Sequence, residues 1–287
     1  MKRAIVRYSL AAVSALVVGS GVFAQTAQLE FPAPSPACTL KQRIGLTDVD
    51  IVYSRPGAKG RQIFGGLVPY GEVWRTGANQ ATTITFSTPV RLNGADVPAG
   101  KYALFTIPGE EAWTVILNKN ASQFGAFQYD PKADLVRFKA APVKLAQRVE
   151  TFTIEFNDIR DDSARLDLIW EHTVVPVKFE VDLTSRFVPQ IEAAMAAPGD
   201  KKPYYQAAMF YYDHGQDLRK ASQWIDAAIA QRETYYIVHL KAEIRAKLGD
   251  KAGAIAAAKR SSELAVKAEG PKSGYVKMND DLIAALQ

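Results

Sequence analysis

Residues 151–183, TFTIEFNDIRDDSARLDLIWEHTVVPVKFEVDL, alternate between apolar and polar side chains over much of their length. Phe152, Ile154 and Phe156 share one parity, while the threonines and the glutamate between them share the other. Successive side chains of a β-strand point to opposite faces of the sheet, so this period of two is typical of half-buried strands. The stretch predicts that strands build this part of the chain.

The same period recurs upstream in short runs that are separated by turn residues, including Asn93-Gly94 and Pro108-Gly109. The runs that we interpret as strands lie at 40–44, 49–53, 82–87, 101–107, 113–117, 135–138, 152–156, 166–170 and 175–183. Roughly nine or ten short strands joined by tight turns are typical of an antiparallel sandwich. We therefore predict an all-β, antiparallel sandwich or jelly-roll-like domain over residues 38–183.

Beyond Leu183 the apolar residues take up the period of a helix. The predicted helices lie near 185–196, 203–214, 217–231, 234–248, 250–268 and 274–286. Ala208 and Gly215 recur as Ala242 and Gly249, about 34 residues on, which is the tetratricopeptide period. Residues 184–287 thus resemble a tetratricopeptide-like domain of helical hairpins. An unrelated α-helical bundle remains the alternative, because only two copies of the repeat can be seen.

Residues 1–24 have the pattern of a secretory signal peptide. Lys2, Arg3 and Arg7 precede an apolar run, which ends in Val22-Phe23-Ala24, a small-x-Ala cleavage pattern. A proline-containing leader at 25–37 follows, and we expect it to be extended. No later apolar run is long enough to span a bilayer, so we expect no membrane span after cleavage. These features predict a periplasmic or secreted protein of a Gram-negative bacterium.

The charge of the chain does not indicate a nucleic-acid partner. The 287 residues carry 35 basic and 30 acidic side chains, and three of the basic ones lie in the predicted signal peptide. Residues 38–183 contain 17 of each sign, and residues 184–287 contain 15 basic and 12 acidic side chains. Binding to a phosphate backbone needs several Lys or Arg side chains acting together on one surface. We therefore expect no nucleic-acid partner.

The segment 53–82, YSRPGAKGRQIFGGLVPYGEVWRTGANQAT, is a long, glycine-rich loop between two predicted strands. Such loops on a rigid β-scaffold often carry binding groups. Arginine offers a planar donor fork for carboxylate, phosphate or sulfate, and aromatic rings can stack on a sugar. The candidate ligand-binding residues are Tyr53, Arg55, Lys59, Arg61, Tyr70, Trp74, Arg75 and Asn79. They predict a small anionic or saccharide-like ligand. The alternative is a structural loop, in which Arg75 pairs with Glu72 or with carbonyls and Trp74 lies in the core.

The residues that carry enzyme chemistry are sparse. The three histidines are far apart in sequence and have no metal-binding spacing, and the loop glycines do not match a phosphate-binding loop. We therefore expect no cofactor and no metal. A hydrolase or isomerase is kept as an alternative, in which Glu171 or His172 acts as acid or base and a loop arginine as electrophile.

Residues 35–182 closely resemble the bacterial domain-of-unknown-function family numbered 2911. The blocks YSRP, KGR, IFGGLVPYG and WRTGAN stand in that family's order, followed by VPAGKYALFTIPGEEAWTVILNK, TFTIEFNDI and LDLIWE. The resemblance implies an exported protein of Gram-negative bacteria, often with a tetratricopeptide-like C-terminal extension. It implies no activity, substrate or cofactor.

Three functions remain open at this stage. The first is a non-enzymatic module that binds a small ligand at the 53–82 loop and a protein partner at the helices. The second is an envelope scaffold, in which the loop is structural and only the helices bind. The third is the enzyme that uses Glu171 or His172.

Overall fold

The computed structural model describes residues 31–199 and 201–287. The predicted signal peptide and residues 25–30 of the leader lie outside the described residues. Ten strands, all paired antiparallel, form two sheets between residues 37 and 180, and six α-helices follow between residues 183 and 286. The predicted β domain followed by a helical domain is therefore confirmed.

The larger sheet has six strands in the order β1-β2-β3-β6-β7-β8. These strands are β1 (Ala37–Ile44), β2 (Thr47–Ser54), β3 (Thr82–Phe86), β6 (Gly100–Ile107), β7 (Trp113–Asn118) and β8 (Asp134–Ala140). The smaller sheet has the order β5-β4-β10-β9. Its strands are β4 (Val90–Leu92), β5 (Ala95–Val97), β9 (Val143–Asn157) and β10 (Ser163–Glu180). The inner faces of the two sheets supply one hydrophobic core, as in a sandwich.

Strands β9 and β10 are longer than the sequence pattern predicted. The runs 166–170 and 175–183, predicted as two strands, are largely one strand, β10, which is 18 residues long. Its pairing with β9 shifts register on either side of Glu171, whose φ is 54°. These irregularities disrupt the alternation around Glu171 and His172, because a bulge moves later side chains to the other face.

The helices are α1 (Leu183–Ala196), α2 (Tyr204–Asp213), α3 (Leu218–Gln231), α4 (Tyr235–Lys247), α5 (Lys251–Glu269) and α6 (Gly274–Leu286). The repeated Ala208 and Ala242 are fully buried. The repeated Gly215 and Gly249 have φ values of 62° and 84°, a conformation that glycine adopts without a Cβ clash after a helix end. Helix α2 packs on α3, α4 on α5, and α4 also contacts both α2 and α6. The stacked hairpins fit the predicted tetratricopeptide-like arrangement.

The β domain and the helices are joined by both apolar and polar contacts. Phe187 of α1 and Phe210 of α2 pack against the core of the sandwich and against that of the helices. His214 stacks on Phe210 at 4.2 Å between ring centroids, and its Nε2 lies 2.8 Å from Oδ2 of Asp161, in the β9–β10 turn. The side chain of Asp182 caps α1 by accepting the backbone N–H of Ser185. These contacts fix the helices directly after β10.

Candidate functional site

The first part of the 53–82 loop runs along the outer edge of β9. The N–H of Phe152 donates to the carbonyl of Pro56 (2.9 Å), and the N–H of Ala58 donates to the carbonyl of Glu150 (2.8 Å). Gly57 and Thr151 form an isolated antiparallel bridge. This segment therefore covers backbone groups of β9 that an edge strand would otherwise expose to other chains.

Tyr53 and Arg55 extend the same cover with their side chains. The Tyr53 hydroxyl accepts the N–H of Ile154 (3.0 Å) and donates to its carbonyl (3.4 Å). Arg55 donates from Nε to the carbonyl of Phe152 (3.1 Å) and from Nη2 to the hydroxyl of Thr153 (2.7 Å). Burial raises the pKa of Tyr53. Both side chains thus hold β9 against the end of β2.

Lys59 and Arg61 contact their own loop and β9. The backbone N–H of Lys59 donates to Oε1 of Glu150 (2.6 Å), and this bond lowers the pKa of the Glu150 carboxyl group. Arg61 donates to the carbonyls of Gly57 (2.6 Å) and Ala58 (3.0 Å). The guanidinium of Arg61 therefore already donates two hydrogen bonds within the loop.

The remaining predicted residues lie in different environments. Trp74 is buried among the aromatic side chains of the core, stacks on Trp170 with 5.9 Å between centroids, and donates from Nε1 to the carbonyl of Gly77 (3.1 Å). Tyr70 is 42% exposed. The Asn79 side chain donates to the hydroxyl of Ser54 (3.3 Å) and to the carbonyl of Ser35 (3.4 Å).

Arg75 is half-buried and forms no ion pair or side-chain hydrogen bond with the residues that the structure describes. Its Nε is buried without an acceptor, and burial lowers the pKa of its guanidinium. The alternative pairing with Glu72 is absent between these two described side chains. Arg75 is thus the predicted residue that has a buried donor without an acceptor among the described residues.

A cavity of about 470 Å³ lies on the outer face of the six-stranded sheet, next to the end of the loop. The N–H of Ala81 donates to the carbonyl of Gln123 (3.0 Å), and both residues line the cavity, as does Gln80. Val52, Thr83 and Lys101 line the cavity from β2, β3 and β6. Tyr53 also lines it and Asn79 is adjacent in sequence to lining Gln80, but Arg55, Tyr70 and Arg75 do not line it.

Gln123, one of the residues that line this cavity, has an acceptor without a donor. The residue is only 2% exposed, and its Nε2 donates to the carbonyl of Asn120 (2.6 Å) and to Oδ1 of Asn118 (3.2 Å). Its Oε1 is buried and has no donor among the described residues. A buried acceptor without a donor costs about 1–3 kcal/mol, so a hydroxyl or amine that reached it would be stabilised.

Lys101 and Thr83 add a cation and a hydroxyl to the lining. Lys101 is exposed and makes no ion pair with a described residue. Its partner in the β3–β6 register is Thr85, which is uncharged. The Thr83 hydroxyl makes no hydrogen bond to a described residue, and Val52 is a 45% exposed apolar side chain. The residues that line the cavity therefore include a cation, a hydroxyl, a glutamine and an exposed apolar side chain.

In the other cavities and charged clusters, more of the polar side chains already have partners. The cavity of about 800 Å³ near β4, β5 and β10 contains Arg91 and Lys178, which pair with Asp96 and Glu180. The carboxylate of Glu171 accepts two hydrogen bonds from Arg148, and Nδ1 of His172 lies 3.1 Å from the carbonyl of Leu145. The cavity that His172 lines has no loop arginine in its wall.

Two further features are absent from the described residues. No group of three or more His, Cys, Asp or Glu side chains could hold a metal ion there. None of the helices in the described ranges combines the length and the apolar character that crossing a membrane requires.

Sequence reasoning missed Thr83, Lys101 and Gln123. The outward position of Thr83 and Lys101 follows from the alternation of β3 and β6, but the loop that turns their face into a cavity wall does not. Asn118 to Gln123, NKNASQ, is a polar connection that signals a loop. Its return across the sheet depends on long-range pairing with residues 79–81.

No curated protein matches the chain, and no solved structure matches it. One family model matches residues 35–179, which span just over half of the 287 residues and contain the loop, the cavity and both sheets. The chain therefore belongs to the family described as "Protein of unknown function (DUF2911)".

Proposed function

We propose that this protein is an exported, non-enzymatic binding protein, whose β domain holds a small acidic saccharide in the cavity lined by Lys101, Thr83 and Gln123. Export to the periplasm or beyond is part of the proposal and is supported by the pattern of residues 1–24. The observation that carries the proposal is that Gln123, whose buried Oε1 lacks a donor, lines the same cavity as the unpaired Lys101.

A sugar acid satisfies both groups at once. Its hydroxyls can donate to Oε1 of Gln123 and exchange hydrogen bonds with Thr83, and its carboxylate can pair with Lys101. Val52 offers an apolar surface for the C–H face of the ring. The cavity, at about 470 Å³, falls in the size range of small-molecule sites.

The test is calorimetric titration of the protein with glucuronate and with glucose. Glucuronate is expected to bind more tightly, and Lys101→Met to weaken glucuronate at least about tenfold, because a charge-assisted hydrogen bond contributes about 1.5–3 kcal/mol. Thr83→Val is expected to weaken both sugars. Thr85→Val is the matched control, since Thr85 is on the same strand and face and does not line the cavity.

The outcomes separate the parts of the proposal. Equal affinities of the native protein and Lys101→Met for glucuronate would remove the assignment of the carboxylate site. Binding unaffected by Thr83→Val, or affected equally by Thr85→Val, would place the sugar outside this cavity. Failure of both sugars to bind would contradict the saccharide class as a whole.

A further inference from the structure

The helical domain carries a tyrosine-rich face of its own, formed by α2, α4 and α6. We call this the tyrosine face and define it by Tyr205, Tyr212, Tyr236, Tyr275 and Glu243. Tyr205 packs edge-on against Tyr236, with 5.3 Å between ring centroids. Burial raises the pKa of Tyr205, with smaller contributions from Tyr275, Tyr236 and Glu243, so these groups lie close together.

His239 of α4 lies beneath this face, and its protonation pattern is determined by its neighbours. The Ser261 hydroxyl donates to the carbonyl of Tyr235 (2.8 Å), so it must accept from Nδ2 of Asn279 (2.9 Å). Oδ1 of Asn279 then faces Nδ1 of His239 at 2.7 Å. Since this oxygen can only accept, Nδ1 of His239 carries a hydrogen.

The other ring nitrogen of His239 is left without a partner. His239 is 6% exposed, and its Nε2 is buried with no hydrogen bond to a described residue. Oε1 of Glu243, one helical turn on, lies 3.8 Å from this nitrogen. In the neutral imidazole Nε2 is an acceptor, and the carboxylate of Glu243, which also interacts with the Tyr212 hydroxyl, is a second acceptor close to it.

The charges around this space favour a cation. Glu243 is half-buried and has no Lys or Arg partner among the described residues. Burial and then Glu243 raise the pKa of Tyr212 to about 12. Lys247, the nearby cation, instead lies over the Tyr212 ring at 3.7 Å. The face thus presents a carboxylate and electron-rich rings without a matching positive charge.

We propose that Nε2 of His239 and the carboxylate of Glu243 bind a primary ammonium group, supplied by a lysine side chain of a partner protein. An ammonium has three donors and no acceptor, so one nitrogen can serve both atoms, which are 3.8 Å apart. Tyr275, whose ring centroid is 5.3 Å from that of His239, adds an aromatic wall. A guanidinium is planar and matches the two oxygens of one carboxylate, so arginine fits less well. This site is independent of the saccharide site.

The first test is the tautomer of His239, read from the ring-nitrogen signals of the full chain by NMR. The chain has three histidines, which makes assignment by substitution direct. At pH about 7.5 we expect Nδ1 protonated and Nε2 bare, and we expect Nε2 to remain bare but to accept a hydrogen bond when a lysine peptide is added. An imidazolium that is already paired with Glu243 at this pH would overturn the proposal, because no acceptor would remain at Nε2.

The second test is binding of a five-residue peptide with one central lysine, blocked at both ends. Acetylation of that lysine is expected to abolish binding, and an arginine version to bind more weakly. Glu243→Gln, which keeps the shape of a partly exposed side chain, is expected to weaken the lysine peptide at least about tenfold. Glu263→Gln is the control, because that α5 carboxylate is 68% exposed and pairs with Arg260.

The control variant separates this site from simple attraction to carboxylates. The groups that face His239 are Glu243 on α4, Ser261 on α5, and Asn279 and Tyr275 on α6. Equal effects of Glu243→Gln and Glu263→Gln on binding of the lysine peptide would refute the site.

Discussion

Replacing Tyr53 by phenylalanine tests whether the start of the loop has a structural role. The ring of Tyr53 is in the core, 4% exposed and edge-on to Phe152 with 5.9 Å between centroids, and phenylalanine would retain this packing. Only the hydroxyl is lost. That hydroxyl joins both backbone groups of Ile154, a residue that is itself 3% exposed.

The magnitude follows from what Ile154 loses. Its N–H donates to the Tyr53 hydroxyl at 3.0 Å, and its carbonyl accepts a longer bond of 3.4 Å. Ile154 lies opposite Leu168 of β10. The N–H of Phe152 and the carbonyl of Glu150 bond to the loop. Because backbone groups of every second residue on a strand point to the same side, the N–H and carbonyl of Ile154 also point away from β10. Leaving them unpaired and buried costs about 1–3 kcal/mol. Tyr53→Phe is therefore expected to lower the free energy of unfolding by about that amount.

Urea unfolding, followed by fluorescence of the core tryptophans, measures this change. Tyr70→Phe is the matched control, because Tyr70 is in the same loop, is 42% exposed and makes no hydrogen bond to a described residue. It should shift the free energy of unfolding by less than about 0.5 kcal/mol. If both variants behaved alike, the proposed anchoring of β9 by the Tyr53 hydroxyl would be refuted.

Two further predictions concern charged residues. Arg75→Met is expected to leave the free energy of unfolding within about 0.5 kcal/mol of the native value or to raise it, because the half-buried guanidinium has no described partner to lose; a loss above 2 kcal/mol in urea unfolding would reveal a partner. Asp182→Ala is expected to cost about 0.5–2 kcal/mol at neutral pH by removing the cap of α1. The hydroxyl and backbone N–H of Ser185 lower the pKa of Asp182, so this stabilisation is present above the ordinary aspartate pKa of about 3.9 and is lost as the pH falls below it. A difference between native protein and variant that persisted at pH about 2 would contradict the capping role.

The sequence was sufficient for the parts of the fold that depend on local periodicity. Strands with one buried face, such as β3, alternate in sequence, and the repeated Gly215 and Gly249 mark helix ends through their left-handed backbone. The length of β10 was not predictable in this way. Its bulge near Glu171 interrupts the alternation, and Pro176 lies between the part paired with β9 and the part paired with β4.

The functional interpretation of the loop was limited for a different reason. The sequence alone does not show whether an arginine or tyrosine side chain binds a ligand or the backbone of a neighbouring strand. Arg55 and Tyr53 contact β9 residues about 100 positions away in sequence, so their partners could not be inferred from the spacing of the loop itself. Whether any of the eight predicted residues binds a ligand stays a prediction.

The balance of charges also has to be considered side chain by side chain. The 17 basic and 17 acidic residues of the β domain cancel in sum, but Arg148 and Arg165 each pair with two carboxylates, while Lys101 and Arg75 pair with none that the structure describes. An ion pair that is already formed gains little from an added anion, whereas an unpaired cation beside a cavity or in a partly buried site can gain a new charge-assisted hydrogen bond. The same reasoning applies with opposite sign to Glu243, which lacks a lysine or arginine among the described residues. The net charge of a domain therefore does not decide which ion a proposed site in it would favour, because that depends on the unpaired group at the site itself.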